Sequence, residues 1–147
     1  MPKTRVYLDN CCFNRPWDDQ VSLVIQIETD AKMYIQELIQ LDRLELVWSF
    51  VLDYENNDNP YEERRTRIAE WQDFAVVDCG LTDEISSQAE LFMKLGLRQK
   101  DATHVACAMA GKADYFITTD KKILNKKISG IKVIDPVNFI RSYSDAE

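Results

Sequence analysis

The stretch Asp101–Asp120, DATHVACAMAGKADYFITTD, constrains the fold more than any other part of the chain. Ala102, Val105, Ala106 and Met109 recur at helical spacing, and Gly111 is a stop signal just beyond them. Tyr115-Phe116-Ile117-Thr118 then reads as a buried strand, aromatic and β-branched. A helix of about ten residues is roughly 15 Å long, and a strand of about five residues spans as much. A helix packed on a sheet, with the strand returning beneath it, brings the helix start and the strand end to one edge. Asp101 stands at that start and Asp120 at that end. Two like charges held close are unfavourable unless something compensates them, and a divalent cation would do so.

Two further acids fall at the same kind of position. Arg5-Val6-Tyr7-Leu8 reads as a short strand running into Asp9, followed by a loop over Asn10–Pro16. Leu44–Trp48 reads as a second strand, and Ser49 is an N-cap for a helix that carries Glu55 in its second turn. Asp53 competes with Glu55, but two positions away it points elsewhere on the helix. In open α/β sheets the carboxyl ends of the strands face the functional crevice. Asp9, Glu55, Asp101 and Asp120 therefore gather at one predicted edge. Hard dications such as Mg²⁺ and Mn²⁺ take oxygen ligands, and such a metal can orient water and stabilise charge on a phosphodiester.

The rest of the chain supplies the frame. Val21 to Leu41 is a long amphipathic helix with Leu23, Ile27, Ala31, Tyr34, Ile35, Leu38 and Ile39 mostly on one face, suited to a core or to a partner. Asn56–Pro60 is a loop by composition, and Tyr61 to Trp71 a polar helix. Phe74–Asp78 is a short strand or an extended connection. Thr82 caps a helix whose inner face is Ile85, Ala89, Phe92 and Met93, closed by Gly96, and Leu97–Lys100 leads into Asp101. Lys121–Lys127 forms a short helix, Ile131–Ile134 a final strand, and Pro136 opens a last helix through Phe139-Ile140. Alternating strands and helices point to a parallel sheet covered on both faces.

At 147 residues the chain is expected to be a single domain, 1–147, with a proper core. No apolar run is long enough to cross a bilayer, and MPKTRVYLDN has no signal-peptide core, so a cytoplasmic protein is expected. Cys11, Cys12, Cys79 and Cys107 form no CxxC pair and read as small hydrophobes rather than a zinc or redox site. The net charge of −7 argues against nucleic acid, unless several acids are gathered around a cation that inverts the local field. Basic residues are grouped at Arg64–Arg67, at Arg98–Lys100, and at Lys121, Lys122, Lys126 and Lys127. Each group reads first as solvated surface, and the third, which follows Asp120, has the alternative of facing a phosphate bound there.

Leu8-Asp9-Asn10, Ser49 followed by Glu55, DATHVACA and DYFITTD together resemble a PIN domain, and among PIN proteins the small bacterial VapC-type toxins. The resemblance runs over essentially the whole chain. It implies a three-layer α/β/α fold with a central, mostly parallel sheet, and a Mg²⁺- or Mn²⁺-dependent ribonuclease acting on RNA. It assigns Asp9, Glu55, Asp101 and Asp120 as the catalytic and metal-binding acids, with Thr119 as a polar residue that helps hold metal or water. It also implies a homodimer silenced by an antitoxin protein that inserts a segment into the active-site groove. Asn10 departs from the Thr or Ser common at its position, and Lys121–Asn125 lacks a further Asp that many members carry. His104, the only histidine, is assigned to packing or hydrogen bonding, since a metal-bound water needs no histidine base. Arg15 is either a phosphate contact or half of a loop salt bridge. The competing reading is a catalytically silent PIN-like module that binds a protein or RNA. A phosphotransfer domain is disfavoured by the lack of a second acid beside Asp9 and of a Gly-rich phosphate loop.

Overall fold

Five strands, β1 (Thr4–Leu8), β2 (Leu44–Ser49), β3 (Ala75–Cys79), β4 (Tyr115–Ile117) and β5 (Lys132–Ile134), make one sheet in the order β3-β2-β1-β4-β5. Every pairing is parallel, so each connection crosses over outside the sheet. The structure is a computed structural model and describes residues 3–146; residues 1, 2 and 147 of the expected 1–147 domain lie outside it. The helices are α1 (Asn10–Asn14), α2 (Leu23–Gln40), α3 (Phe50–Asn57), α4 (Glu62–Ala69), α5 (Asp83–Lys94), α6 (Gln99–Ala110), α7 (Lys121–Leu124) and α8 (Pro136–Ala146). Helices flank the sheet, giving the expected α/β layering with a sheet that is parallel throughout.

Val6, Tyr7 and Leu8 are all fully buried, and since successive side chains point to opposite faces, β1 is covered on both. β1 lies at the centre, where the chain enters the sheet first and β4 joins it last of its two neighbours. α6 packs against α5 and rests on β2 and β4, while α2 packs against α8 and β2. At the end of α6 the approach is close: a Cβ on Gly111 would sit 2.6 Å from Val47 Cγ1. Gly96 ends α5 with a left-handed φ of 103°, a conformation that glycine adopts without a Cβ clash.

Several sequence expectations shift. The expected loop over Asn10–Pro16 is helical: Asp9 caps α1, and a single 3₁₀ turn over Arg15–Trp17 follows. α2 starts at Leu23 because Ser22 Oγ accepts from Ile25 N, two residues later than expected. Its expected inner face also divides. Ala31, Ile35, Leu38 and Ile39 are buried, whereas Leu23, Ile27 and Tyr34 are exposed. The helix after Tyr61 gives way at Glu70 to a 3₁₀ turn, and the uncertain segment at 74–78 is a true strand, β3. α6 begins at Gln99, which puts Asp101 inside its first turn rather than at its start. α7 stops at Leu124, and Thr118 lies just past β4. All four cysteines are free thiols, with Cys12, Cys79 and Cys107 buried as small apolar groups. None of the described helices is long and apolar enough to cross a membrane.

Lys32 on α2 is 3% exposed, and its ammonium donates to Gln36 Oε1 at 2.7 Å, with no carboxylate bonded to it among the described residues. Burial pushes its pKa down to about 8. The unfolded chain, near 10.4, therefore holds the extra proton between those values, and stability rises with pH across that window. Replacing Lys32 with Met is expected to raise stability at pH 7 by about 1–3 kcal/mol and to abolish the gain above pH 8. Urea unfolding of both proteins from pH 7 to 10 measures this; an unchanged slope would contradict a buried ammonium.

Candidate metal centre

Asp9 reaches the site because β1 ends there. Its backbone N–H donates to Ile117 O at 2.9 Å, one step beyond the β1–β4 ladder, which fixes the main chain where the strand turns into α1. The side chain is then held at both oxygens. Oδ1 accepts from Asn10 N at 2.8 Å as the cap of α1, and Oδ2 accepts from Thr118 Oγ1 at 2.8 Å. Asp9 is only 6% exposed, so neither carboxylate oxygen is free to wander.

Glu55 comes from the second turn of α3, whose start is fixed by Ser49 Oγ accepting from Leu52 N. Asp53 does not compete for the site, because it accepts from the Trp48 indole N–H at 2.9 Å. Facing Glu55 is His104 on α6, 1% exposed, whose Nε2 bonds Glu55 Oε1 and lies 3.8 Å from Asp9 Oδ1. One ligand atom from each of Asp9, Glu55 and His104 falls within 4.8 Å of the other two. The other ring nitrogen, Nδ1, is 2.5 Å from Tyr7 Oη, and Tyr7 Oη is 2.6 Å from Ser49 Oγ.

The electrostatics follow from burial and neighbours. Burial pushes the Glu55 carboxyl up, but the His104 hydrogen bond and charge, with Lys100, more than offset it and leave the group below its usual range. Burial pushes the His104 imidazole down, but the Glu55 bond and the charges of Asp9, Glu55 and Asp101 leave it raised. Asp101 is raised by burial and then by the charges of Asp9 and Asp120, so the three acids sense one another. Burial likewise drives the Tyr7 phenol well up, keeping it a neutral hydroxyl.

No family model matches the chain, and no curated protein matches it by sequence. Solved structures do match. A chain of a toxin–antitoxin complex from Klebsiella pneumoniae is similar at a TM-score of 0.61 and 14% identity, over 89% of this chain and 97% of that one. A chain of VapBC2 from Rickettsia felis, bound to a promoter DNA fragment, gives 0.56 and 12%, over 88% and 97%. A chain of DNA-bound VapBC from Salmonella typhimurium gives 0.55 and 14%, over 90% and 98%. The fold is that of a VapC-type PIN domain.

The acidic quartet expected of a PIN domain divides in this chain. Asp9 and Glu55 meet tightly, and Asp101 and Asp120 stand outside that group. Asp101 is half-buried and tied at 3.6 Å to the exposed guanidinium of Arg98, while Asp120 caps α7 by accepting from Lys122 N at 2.9 Å. Thr119 is engaged elsewhere: its Oγ1 accepts from Arg15 Nη2 at 2.5 Å and lies 3.2 Å from Cys11 Sγ. The hydroxyl that holds Asp9 belongs to Thr118. Arg15 is itself occupied by Asp18 and Glu28, which is the salt-bridge alternative rather than a free phosphate contact. His104, expected to pack or to hydrogen-bond, does bond, and it does so inside the site.

Does a dication fit this PIN-fold pocket? An ion about 2.1 Å from each donor places donors at most about 4.2 Å apart across it, so the observed spread closes with shifts of under ~1 Å. Two carboxylates and an imidazole are ordinary metal donors, and Asp9, Glu55 and His104 are the residues that would hold it.

In metal-free protein the His104–Glu55 pair has a defined pH window. The raised His104 contributes stability that is complete below its ordinary 6.5 and is lost as pH climbs through the raised value. The depressed Glu55 contributes stability that is complete above its ordinary 4.5 and is lost as pH falls through the lowered value. The stability difference between wild type and Glu55→Gln, measured by urea unfolding with chelator, should therefore peak between those two pH values and shrink on either side. A difference that is flat with pH would show that the pair is not ionised.

Proposed function

We propose that this chain is a divalent-metal-dependent endoribonuclease, the toxin of a toxin–antitoxin pair. The observation that carries the reading is the convergence of Asp9, Glu55 and His104 at the carboxyl end of a parallel sheet, with the charges of Asp101 and Asp120 acting on the same region. The toxin–antitoxin complexes that share its fold support the biological half.

Hydrolysis of an RNA phosphodiester adds a water oxygen to phosphorus and breaks one P–O ester bond. A bound Mg²⁺ or Mn²⁺ supplies Lewis acidity and lowers the pKa of water. The protein's own contribution is placement. Asp9 and Glu55 are the anionic donors, with Asp9 kept from rotating by Asn10 N and Thr118 Oγ1. Asp101, in the first turn of α6, and Asp120, at the turn into α7, add negative charge beside them. The exposed Lys121 and Lys122 directly after Asp120 are the cations available to a substrate phosphate. Thr119, tied to Arg15, braces this turn. The partners of this reading are the RNA substrate, an antitoxin protein and a second copy of the chain.

A second reading, a catalytically silent PIN-like module that binds protein or RNA, is favoured by Val21, Leu23, Val24 and Ile27, all exposed around the start of α2. One experiment separates the two. RNA hydrolysis with Mg²⁺ or Mn²⁺ is expected from wild type, and Asp9→Asn and Asp101→Asn should each be slower by about 100-fold or more. Equal rates in all three proteins, or no Mn²⁺ bound at millimolar concentration by calorimetry, would sink the nuclease reading.

A further inference from the structure

The nuclease reading needs only oxygen donors around its cation, but the geometry points to a nitrogen as well. We infer that His104 Nε2 is a ligand of the same ion, making a two-carboxylate, one-imidazole site that takes Mn²⁺ or a similar first-row transition dication in preference to Mg²⁺. The inference rests on that reading in one respect, that a dication binds between Asp9 and Glu55.

Position is the first argument. His104 Nε2 belongs to the group of donors lying within 4.8 Å of one another, and it points at the two carboxylates rather than along the helix surface. With 1% of the residue exposed, the ring has no route out to solvent. An ion seated between Asp9 and Glu55 has this nitrogen beside it.

The second argument is the order of hydrogen bonds behind the ring. A metal-bound imidazole donates its other N–H to an acceptor that fixes tautomer and ring orientation. Here Nδ1 has Tyr7 Oη at 2.5 Å. Tyr7 Oη has Ser49 Oγ at 2.6 Å, and Ser49 bonds onward to the Cys107 thiol. Protons ordered along this chain, from Nδ1–H to Tyr7, Tyr7 to Ser49 and Ser49 to Cys107, leave the Nε2 lone pair facing the carboxylates. In the cation-free site the imidazolium keeps this order and adds an Nε2–H that donates to Glu55. A cation taken at Nε2 would displace that one proton to solvent and leave the hydrogen bonds behind the ring unchanged. Tyr7 is thus a positioning residue for His104.

Ligand chemistry then selects the ion. Mg²⁺ prefers oxygen and gives up its waters reluctantly, whereas imidazole suits later first-row dications. On its inner side this site offers one nitrogen and a carboxylate 6% exposed, which leaves little room for retained water.

Because the chain has a single histidine, the test needs no mutation to assign its signal. Tag-free wild-type protein loaded with Mn²⁺ is measured by pulsed electron paramagnetic resonance, unlabelled and with ¹⁵N-histidine. A nitrogen hyperfine coupling that changes with the label establishes ligation. Calorimetry should give Mn²⁺ binding at least ~10-fold tighter than Mg²⁺, with His104→Gln losing the coupling and most of that ratio. Tyr7→Phe keeps the ring stacked on Phe116 and should retain the coupling while weakening Mn²⁺ binding by about 10-fold. Bound Mn²⁺ without nitrogen coupling would overturn this inference and leave the nuclease reading standing. No bound Mn²⁺ would overturn both.

Discussion

The pairing of β1 with β4 is the interaction on which the site depends. It sets Val6, Tyr7 and Leu8 beside Tyr115, Phe116 and Ile117, and it continues for one bond past the ladder, from Asp9 N to Ile117 O. That last bond places Thr118 where its hydroxyl donates to Asp9 Oδ2, while Thr118 Oγ1 itself accepts from Asp120 N. A single register thus aligns two sheet-end acids that share no local sequence. A register slip of one residue would turn every β1 side chain to the other face and carry Tyr7 away from His104.

The site is built so that its polar groups are satisfied before any ligand arrives. Asp9 is bonded at both oxygens, His104 at both nitrogens, and Ser49 serves at once as cap of α3 and as partner of Tyr7. Buried networks of this kind are rigid when complete and costly when broken. The exceptions are instructive. Asn10 has a buried, unpartnered Oδ1 while its side chain also bonds Glu55, and the Arg15 Nε lacks a hydrogen bond even though its guanidinium is surrounded by partners. Both flank the Asp9 turn, where the chain changes from strand to helix within one residue.

The inner strands were legible from the sequence because β1, β2 and β4 are near-continuous apolar runs, which a parallel sheet buries on both faces. At the edge, β3 alternates half-buried and exposed residues and could be read either way. The positions of Asp9 and Glu55 were legible for the same reason, each falling just past a strand or a capped turn. What escaped was chemistry that depends on distant partners. Tyr7 reads as one more core aromatic until His104 and Ser49 are beside it, although a tyrosine in the middle of a buried strand does ask for a hydroxyl partner. His104 was assigned to hydrogen bonding, but nothing in its own segment says that Glu55 is the partner. Thr118 and Thr119 are adjacent and chemically alike, and only the exact end of β4 decides which one faces Asp9. The expected loop after Asp9 was a helix because Asp9 itself caps it, a double use of one carboxylate that composition does not reveal.

The central strand is also the first to be synthesised, and its neighbour β4 is encoded more than a hundred residues later. Until that distal segment leaves the ribosome, β1 has one open edge and Asp9 has neither Ile117 nor Thr118 to hold it. Contacts of such long sequence separation form slowly and late. A nascent polypeptide that ends before β4 therefore lacks the register that holds Asp9 against Ile117 and Thr118.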